Sequence, residues 1–432
     1  MAFGDKLRRL RDLPPPGGRA PDAPAPEPSS AVAVPEGEAT DERSRVLAEL
    51  RLKMSAILRR PAPSPPRADP SATCLPFACE ERASGLMYRR LERLAPSHHV
   101  GRMPVDAAAA ARGEILALLA LDPALSAPRF ERALFLDTET TGLGGAGVLP
   151  FLVGMCWFDE ERRPHLEQLL ARRPGDEPAM LERVRECVEA AEVIVTYNGK
   201  TFDWPLLATR CVMNRMPQLP ERPHLDLLHV ARRLHRARLG ACRLVSLESA
   251  VLGFERGPDV EGKDVAARYA HFLRTGDESA LEAVVSHNAW DVVSMAALVG
   301  LYGEPLELLP AEDLVGMART FRRAGALARA EAVAEAALSR GGGAGARRVR
   351  AEIAKARGDK ARALADLEAI VEEVDEPALR LELAKLYEHF VQEPLRALAL
   401  VDRGTGESEA ATERRRARLE RKAQRERKAR RG

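Results

Sequence analysis

The stretch Leu134-Phe-Leu-Asp-Thr-Glu-Thr-Thr-Gly142 constrains this chain more than any other. Leu134, Phe135 and Leu136 run directly into Asp137, and Glu139 follows two positions on. A short apolar run ending in polar and glycine-rich sequence predicts a buried strand that emerges at its carboxyl end. Side chains alternate along a strand, so Asp137 and Glu139 leave on the same face. Two carboxylates held side by side repel one another, and a cation between them relieves the repulsion. Oxygen ligands alone favour Mg²⁺ or Mn²⁺ over zinc. Taken by itself, an Asp-x-Glu pair is also what a solvated strand end presents.

A chain of 432 residues calls for two or three domains rather than one core. Its net charge of +2 is unevenly spread: from Glu413 onward there are 11 Lys/Arg against 3 acids, and 55 against 61 before that. A mildly acidic body thus carries a basic tail. The six cysteines (74, 79, 156, 187, 211 and 242) form no C-x-x-C pair and no zinc-finger spacing. Scattered thiols, with no signal-peptide h-region after Met1 and no run of apolar residues long enough to span a bilayer, predict a cytoplasmic protein without a membrane partner.

Residues 1–70 hold 13 of the 31 prolines and predict a disordered segment with one short helix over 41–59. Residues 71–129 read as an extension packed on the next domain, with an Ala/Leu helix over 105–121. Residues 130–303 alternate as an α/β unit. Apolar segments with short connections predict an antiparallel meander, and the helix 177–191 leading into a strand at 193–197 predicts a parallel crossover. That order, antiparallel then parallel, predicts a ribonuclease-H-like mixed sheet flanked by helices. Residues 311–405 are Ala/Leu/Arg-rich helices with an internal repeat. Gly325 to Gly358 and Ala330 to Ala363 are each separated by 33 residues, Ala363 to Ala397 by 34, the period of an all-α, tetratricopeptide-like module. A basic tail, 406–432, follows; its cations suit phosphate neutralisation or a solvated charged helix equally.

Two further acidic motifs follow the first. In Asn198-Gly-Lys-Thr-Phe-Asp203 a strand ends, the chain turns, and Asp203 begins a helix. An acid there is also stabilised by the helix dipole alone. In His287-Asn-Ala-Trp-Asp291 the His and Asp are four apart and share one helix face amid Val, Met and Leu. Asp226, at the next strand end, could approach a cation held by the other acids, but reads first as a structural hydrogen-bonding acid. The glycines of 142–147 lack the Lys-Ser/Thr of a phosphate-binding loop and read as a hairpin connection.

Asp137-Thr-Glu139, Asn198-Gly-x-x-Phe-Asp203 and His287-x-x-x-Asp291 resemble, in order, the three exonuclease motifs of the DEDD 3′–5′ exonuclease superfamily. The flanking text, including Asp226-Leu-Leu-His, Leu247-Glu248, Tyr269 and Leu273-Arg-Thr-Gly-Asp277, is similar to the YprB-like ribonuclease-H-like branch. The resemblance implies that Asp137, Glu139, Asp203 and Asp291 hold two divalent ions, Mg²⁺ or Mn²⁺, and that His287 is the general base. It implies that Thr140, Gly142, Leu143 and Asn198 meet the substrate, a single-stranded 3′ end of DNA or RNA. Relatives with a histidine base place it five residues before the last Asp; the interval of four here is that of relatives with a tyrosine base. Two alternatives stay open: a non-catalytic scaffold that binds nucleic acid or protein, and an endonuclease on the same fold. The repeats suit a platform for a protein partner or for the substrate.

Overall fold

The computed structural model describes residues 75–95, 97–142, 147–303 and 309–429. The segment 1–70, with its expected helix, lies outside the described residues, as does Leu143.

The described residues form nine strands, in chain order β1 (Ala78–Arg82), β2 (Gly85–Arg93), β3 (His99–Val100), β4 (Met103–Pro104), β5 (Ala133–Thr140), β6 (Pro150–Phe158), β7 (Pro164–Leu170), β8 (Val193–Thr196) and β9 (His224–Asp226). Seven of them form one sheet in the order β1-β2-β7-β6-β5-β8-β9, and β3 and β4 pair by themselves. From β1 to β5 the neighbours are antiparallel. From β5 through β8 to β9 they are parallel. The sheet therefore switches direction at β5, the strand that carries Asp137 and Glu139. It also starts earlier than residue 130: β1 and β2 are its edge, so the segment 71–129 supplies strands as well as packing.

Helix α1 (Gly113–Ala120) precedes β5, and α2 (Glu177–Ala190) makes the crossover to β8. Helices α3 (Asp203–Met213) and α4 (Leu227–Leu239) follow β8 and β9. Next come α5 (Leu244–Leu247), α6 (Gly262–Thr275) and the long α7 (Glu282–Gly303). The alternation along β5 decides which helix lies where. Leu134 and Leu136 pack with Val184, Val188 and Leu207 of α2 and α3. Ala133 and Phe135 pack with Val230 of α4 and Val292 and Met295 of α7. Asp137 and Glu139, in phase with Phe135, thus belong to the α7 face.

The continuous helix expected over 105–121 is broken. Val105–Ala110 is a 3₁₀ turn, Ala111 and Arg112 are extended, and α1 starts at Gly113. The cause is α7, whose Gly300 and Gly303 leave only enough room for the backbone of 107–112: a Cβ on Gly300 would lie 2.8 Å from that of Ala107. Tertiary packing overrides the helical pattern. α7, extended back to Glu278, is long and apolar enough by composition to cross a membrane, but most of it is buried within the protein. Its apolarity is that of a core helix.

Seven helices complete the described chain: α8 (Ala311–Arg323), α9 (Leu327–Ser339), α10 (Gly343–Arg357), α11 (Lys360–Glu368), α12 (Pro377–Leu386), α13 (Pro394–Asp402) and α14 (Glu409–Ala429). The first six run as three consecutive pairs. Gly325 and Gly358, the repeat's marker glycines, turn the first two pairs at φ of 80° and 86°, and Gln392 turns the third at 62°. Small residues such as Ala330, Ala334, Ala337 and Ala363 are fully buried where the helices pack. Asp313 of α8, fully buried, accepts from Arg238 of α4 at 2.6 and 3.1 Å and so ties the helical part to the sheet domain.

Candidate active site

A row of residues crosses the sheet beneath α7. Asp137 on β5 lies opposite Gly154 on β6, Gly154 opposite Gln168 on β7, and Gln168 opposite Arg90 on β2. Gly154 is required: a Cβ there would fall 2.2 Å from the Asn288 Oδ1 of α7, which fills the space. The row is a hydrogen-bond relay. Arg90 donates to Gln168 (3.1 Å), Gln168 to Asn288 Oδ1 (2.9 Å), and Asn288 Nδ2 to Asp137 Oδ2 (2.9 Å). A register break between Glu139 and Thr140 then shifts the pairing of β5 with β6, so that Thr140 lies opposite Pro150, as bulges beside functional positions do.

Asp203, at the start of α3, comes in from the parallel side. It accepts hydrogen bonds from the Thr138 amide (3.1 Å) and Thr138 Oγ1 (2.5 Å). Asp291 and His287 descend from α7 one turn apart. One ligand atom each from Glu139, His287 and Asp291 lies within 4.8 Å of the others. His287 Nε2 is 3.6 Å from Asp291 Oδ2 and 4.0 Å from Glu139 Oε1. Asp137 and Asp203 stand outside that group of three, but both interact electrostatically with its acids.

The acids are short of positive charge. Burial, followed by repulsion from Asp291, Asp203 and Glu139, lifts the Asp137 carboxyl well above the usual range. Burial likewise pushes Glu139 up to about 7, against the pull of His287, and Asp203 up to about 6. Burial alone would lower the His287 imidazole, but Asp291, Glu139 and Asp259 outweigh it and raise it.

Three groups at the site escaped the sequence reading. Asn288 is the donor to Asp137, and its only signal was a polar residue at full burial in an apolar helix. Asp259, 28 residues from His287, accepts from its Nδ1 at 2.7 Å. Arg256, whose side chain is 3% exposed, pairs with Glu248 at 2.6 and 2.7 Å, lies 3.3 Å from Asp259, and donates to Asp291 Oδ1. Its guanidinium also lies over the Trp290 ring, 5.7 Å from the centroid. Both charged residues sit in the irregular stretch between α5 and α6, where no periodicity marks a side chain as buried.

The remaining residues singled out in the sequence have defined places. Thr140 Oγ1 donates to the Gly142 carbonyl at 2.6 Å and closes the end of β5. Asn198 has a φ of 68°, and its amide donates to Asp226 Oδ1 at 2.8 Å. Asp226 also accepts from the amides of Lys200 (3.2 Å) and Leu228 (3.1 Å), so it caps α4 while holding the loop that leads to Asp203. That is the structural role its sequence context suggested.

Residues 134–302 match the RNase_H_2 family of the RNase_H superfamily. Over 167 residues the chain is 41% identical to the uncharacterized protein YprB of Bacillus subtilis (strain 168), a match covering 38% of this chain. The chain spans 40% of that relative's length. Among solved structures it is similar to the family B DNA polymerase from the hyperthermophilic archaeon Pyrobaculum calidifontis. That likeness has 15% identity and a TM-score of 0.31, covering 44% of this chain and 28% of the polymerase. Residues 134–302 thus match the RNase_H superfamily and are similar to YprB, and five of the strands of the mixed sheet, β5 to β9, lie within them apart from Ala133.

Proposed function

We propose that this protein is a divalent-metal-dependent nuclease, a 3′–5′ exonuclease that hydrolyses phosphodiester bonds of single-stranded nucleic acid. One observation carries the reading: a ribonuclease-H-like sheet gathers half-buried and buried carboxylates that the fold leaves short of a counter-charge. Among the described residues Asp137 has a neutral amide as its side-chain donor, and Glu139 and Asp203 are raised into the neutral range. Structural acids are normally paired, so the shortage points to an ion supplied from outside.

The donor set fits Mg²⁺ or Mn²⁺: Asp137, Glu139, Asp203 and Asp291 supply carboxylate oxygens, and two ions are the expected complement. Bound there, divalent ions would neutralise the charge that develops on the phosphate oxygens. The protein's own part is orientation and proton handling. Asp259 on Nδ1 of His287 fixes that nitrogen as the protonated one, because 2.7 Å is the shorter of its contacts. Nε2 then faces Glu139 and Asp291 free to take a proton from the attacking water. Thr140, Gly142 and Asn198 would meet the terminal nucleotide, and the three helix pairs, read as tetratricopeptide-like, would hold a protein partner or the strand.

Purified protein with Mg²⁺ or Mn²⁺ is expected to shorten a labelled single strand, and the Asp137→Asn variant is expected not to. Equal degradation by both removes this site from consideration. A circular strand should survive; its cleavage would make the enzyme an endonuclease. The scaffold reading rests on a specific contact, the pairing of Arg256 with Asp291. Calorimetric titration with Mn²⁺ separates the two, since a scaffold with Arg256 as its resident cation shows no binding heat.

A further inference from the structure

The last helix sorts its cations into two sets. Residues 414–428 contain nine Lys/Arg, of which the exposed Arg427 lies outside both sets. Four of them hold the helix down. Arg415, Arg418 and Lys422 converge on the buried Glu388 at 3.2, 2.6 and 3.0 Å, and Arg416 pairs with Asp402 at 2.8 Å. Leu419 and Ala423 are buried on the same side.

Arg414, Arg421, Arg425 and Lys428 do none of this. All four are exposed and enter no ion pair among the described residues. At 100° per residue they fall within an arc of roughly 60°, opposite Leu419 and Ala423. No acid lies in that arc: Glu413 and Glu420 sit to one side of it, Glu426 to the other. Along the axis the charges are about 10, 6 and 4.5 Å apart, a stripe of about 21 Å.

We propose that this stripe is a docking surface for the phosphate backbone of single-stranded nucleic acid, a second contact to the substrate proposed above. The charges are too spread for one phosphate and suit a linear polyanion. The face offers only alanines besides its cations, so it lacks the apolar anchors that insert into a bilayer or centre a protein interface. The proposal rests on the nuclease reading only for the choice of strand.

The test uses the full chain and a short fluorescent oligonucleotide in EDTA, so that binding is read without cleavage. The variant Arg414→Gln/Arg421→Gln/Arg425→Gln/Lys428→Gln should bind about tenfold or more weakly. Its slope of log affinity against log salt should be shallower by about 3, at about 0.7 for each phosphate no longer neutralised. Replacing the three arginines by lysine should preserve binding, and Arg416→Gln, which breaks a docking pair, should leave the slope unchanged. An unchanged affinity and slope in the fourfold variant overturns the proposal. So does absence of oligonucleotide binding by the wild type, or a variant that loses only binding to phosphatidylglycerol vesicles. Dinucleotide hydrolysis keeps the two readings apart. If the wild type cuts nothing but the slope changes, the stripe stands without the nuclease; if the dinucleotide is cut and the slope is unchanged, the reverse holds.

Discussion

Two carboxylate settings in this protein have opposite electrostatics. Glu388, fully buried in the turn Tyr387–Val391 that follows α12, faces three cations from α14. Burial would raise its carboxyl, but hydrogen bonds from Arg418 and Lys422 hold it down at about 2. Asp137, in the sheet domain, has three acids for neighbours and one neutral donor, and its carboxyl is driven the other way. Glu167, fully buried on β7 between Arg89 and Arg183 at 2.7 Å each, follows the Glu388 pattern within the sheet. Where an acid serves the fold, the fold provides its counter-charge. Where the fold withholds it, the acid is available to something that binds.

The sharpest way to break this contrast is to neutralise one acid of each kind. Asp137→Asn should lower nuclease turnover on the order of 10³-fold, the scale of losing an electrostatic group at a reacting centre. In metal-free protein the same change should raise stability by about 1 kcal/mol, since it removes a half-buried charge repelled by its neighbours. Urea unfolding and turnover measured together check both signs. A variant that loses activity and stability in parallel would place Asp137 with Glu388 instead.

Arg256 tests the comparison from the cation side. Among the described residues it is the buried guanidinium at the acidic site, and its strongest tie is to the fully buried Glu248. Arg256→Met should cost about 3–5 kcal/mol in urea unfolding, because it leaves Glu248 buried and unpaired. A much smaller loss would mean that Glu248 takes up a proton in the variant, which a pH series of the same measurement would expose.

Much of the fold was legible because it rests on local patterns. The apolar run into Asp137, the helix before β8 and the spacing of 33 residues each determine an element from its own letters. The order of antiparallel and parallel strands followed from connection lengths. The acidic motifs could be placed at strand ends and on a helix face, and that placement set which side of β5 faces α7. What could not be read is set by contacts distant in sequence. The break at Ala111 and Arg112 comes from glycines nearly 200 residues later, and β1 and β2 join the sheet through β7 rather than through their neighbours. The Arg256 side chain is buried against the acids, and Asp259 is brought to His287, by contacts with α7, to which nothing in their own stretch points.

Acid titration should separate the two settings without a mutation. Glu388, lowered in the folded state, contributes stability that is present above its unfolded value of about 4.5 and is lost as pH falls toward about 2. Glu139 and Asp203, raised when folded, work in the opposite direction: the folded protein takes up protons first, so metal-free protein gains stability as pH falls from about 7 toward the ordinary carboxylate range. Thermal melting in EDTA should therefore pass through a maximum between the two windows. Saturating Mn²⁺ should raise the melting temperature at pH 7 and flatten the upper limb, since an ion bound only to the folded state adds stability by mass action. Glu388→Gln should cost about 2–3 kcal/mol, the lower side of a broken buried pair because its cations remain partly solvated, and should remove part of the acid limb.

The smallest effect tests the boundary between the two classes. Asp226 lies at a strand end beside Asp203 and enters its electrostatics, yet three backbone amides occupy its oxygens. If hydrogen bonds to backbone are a sufficient counter-charge, Asp226 belongs with Glu388 although it sits near the acids. Asp226→Ala should then cost about 1–2 kcal/mol, the loss of a helix cap, and Asp226→Asn, which keeps one acceptor oxygen, should cost less. Mn²⁺ binding heats should be unchanged in Asp226→Asn, whereas they should fall in Asp203→Asn. A loss of binding in Asp226→Asn would move this acid into the metal set and show that satisfied hydrogen bonds do not keep a carboxylate out of a cation site.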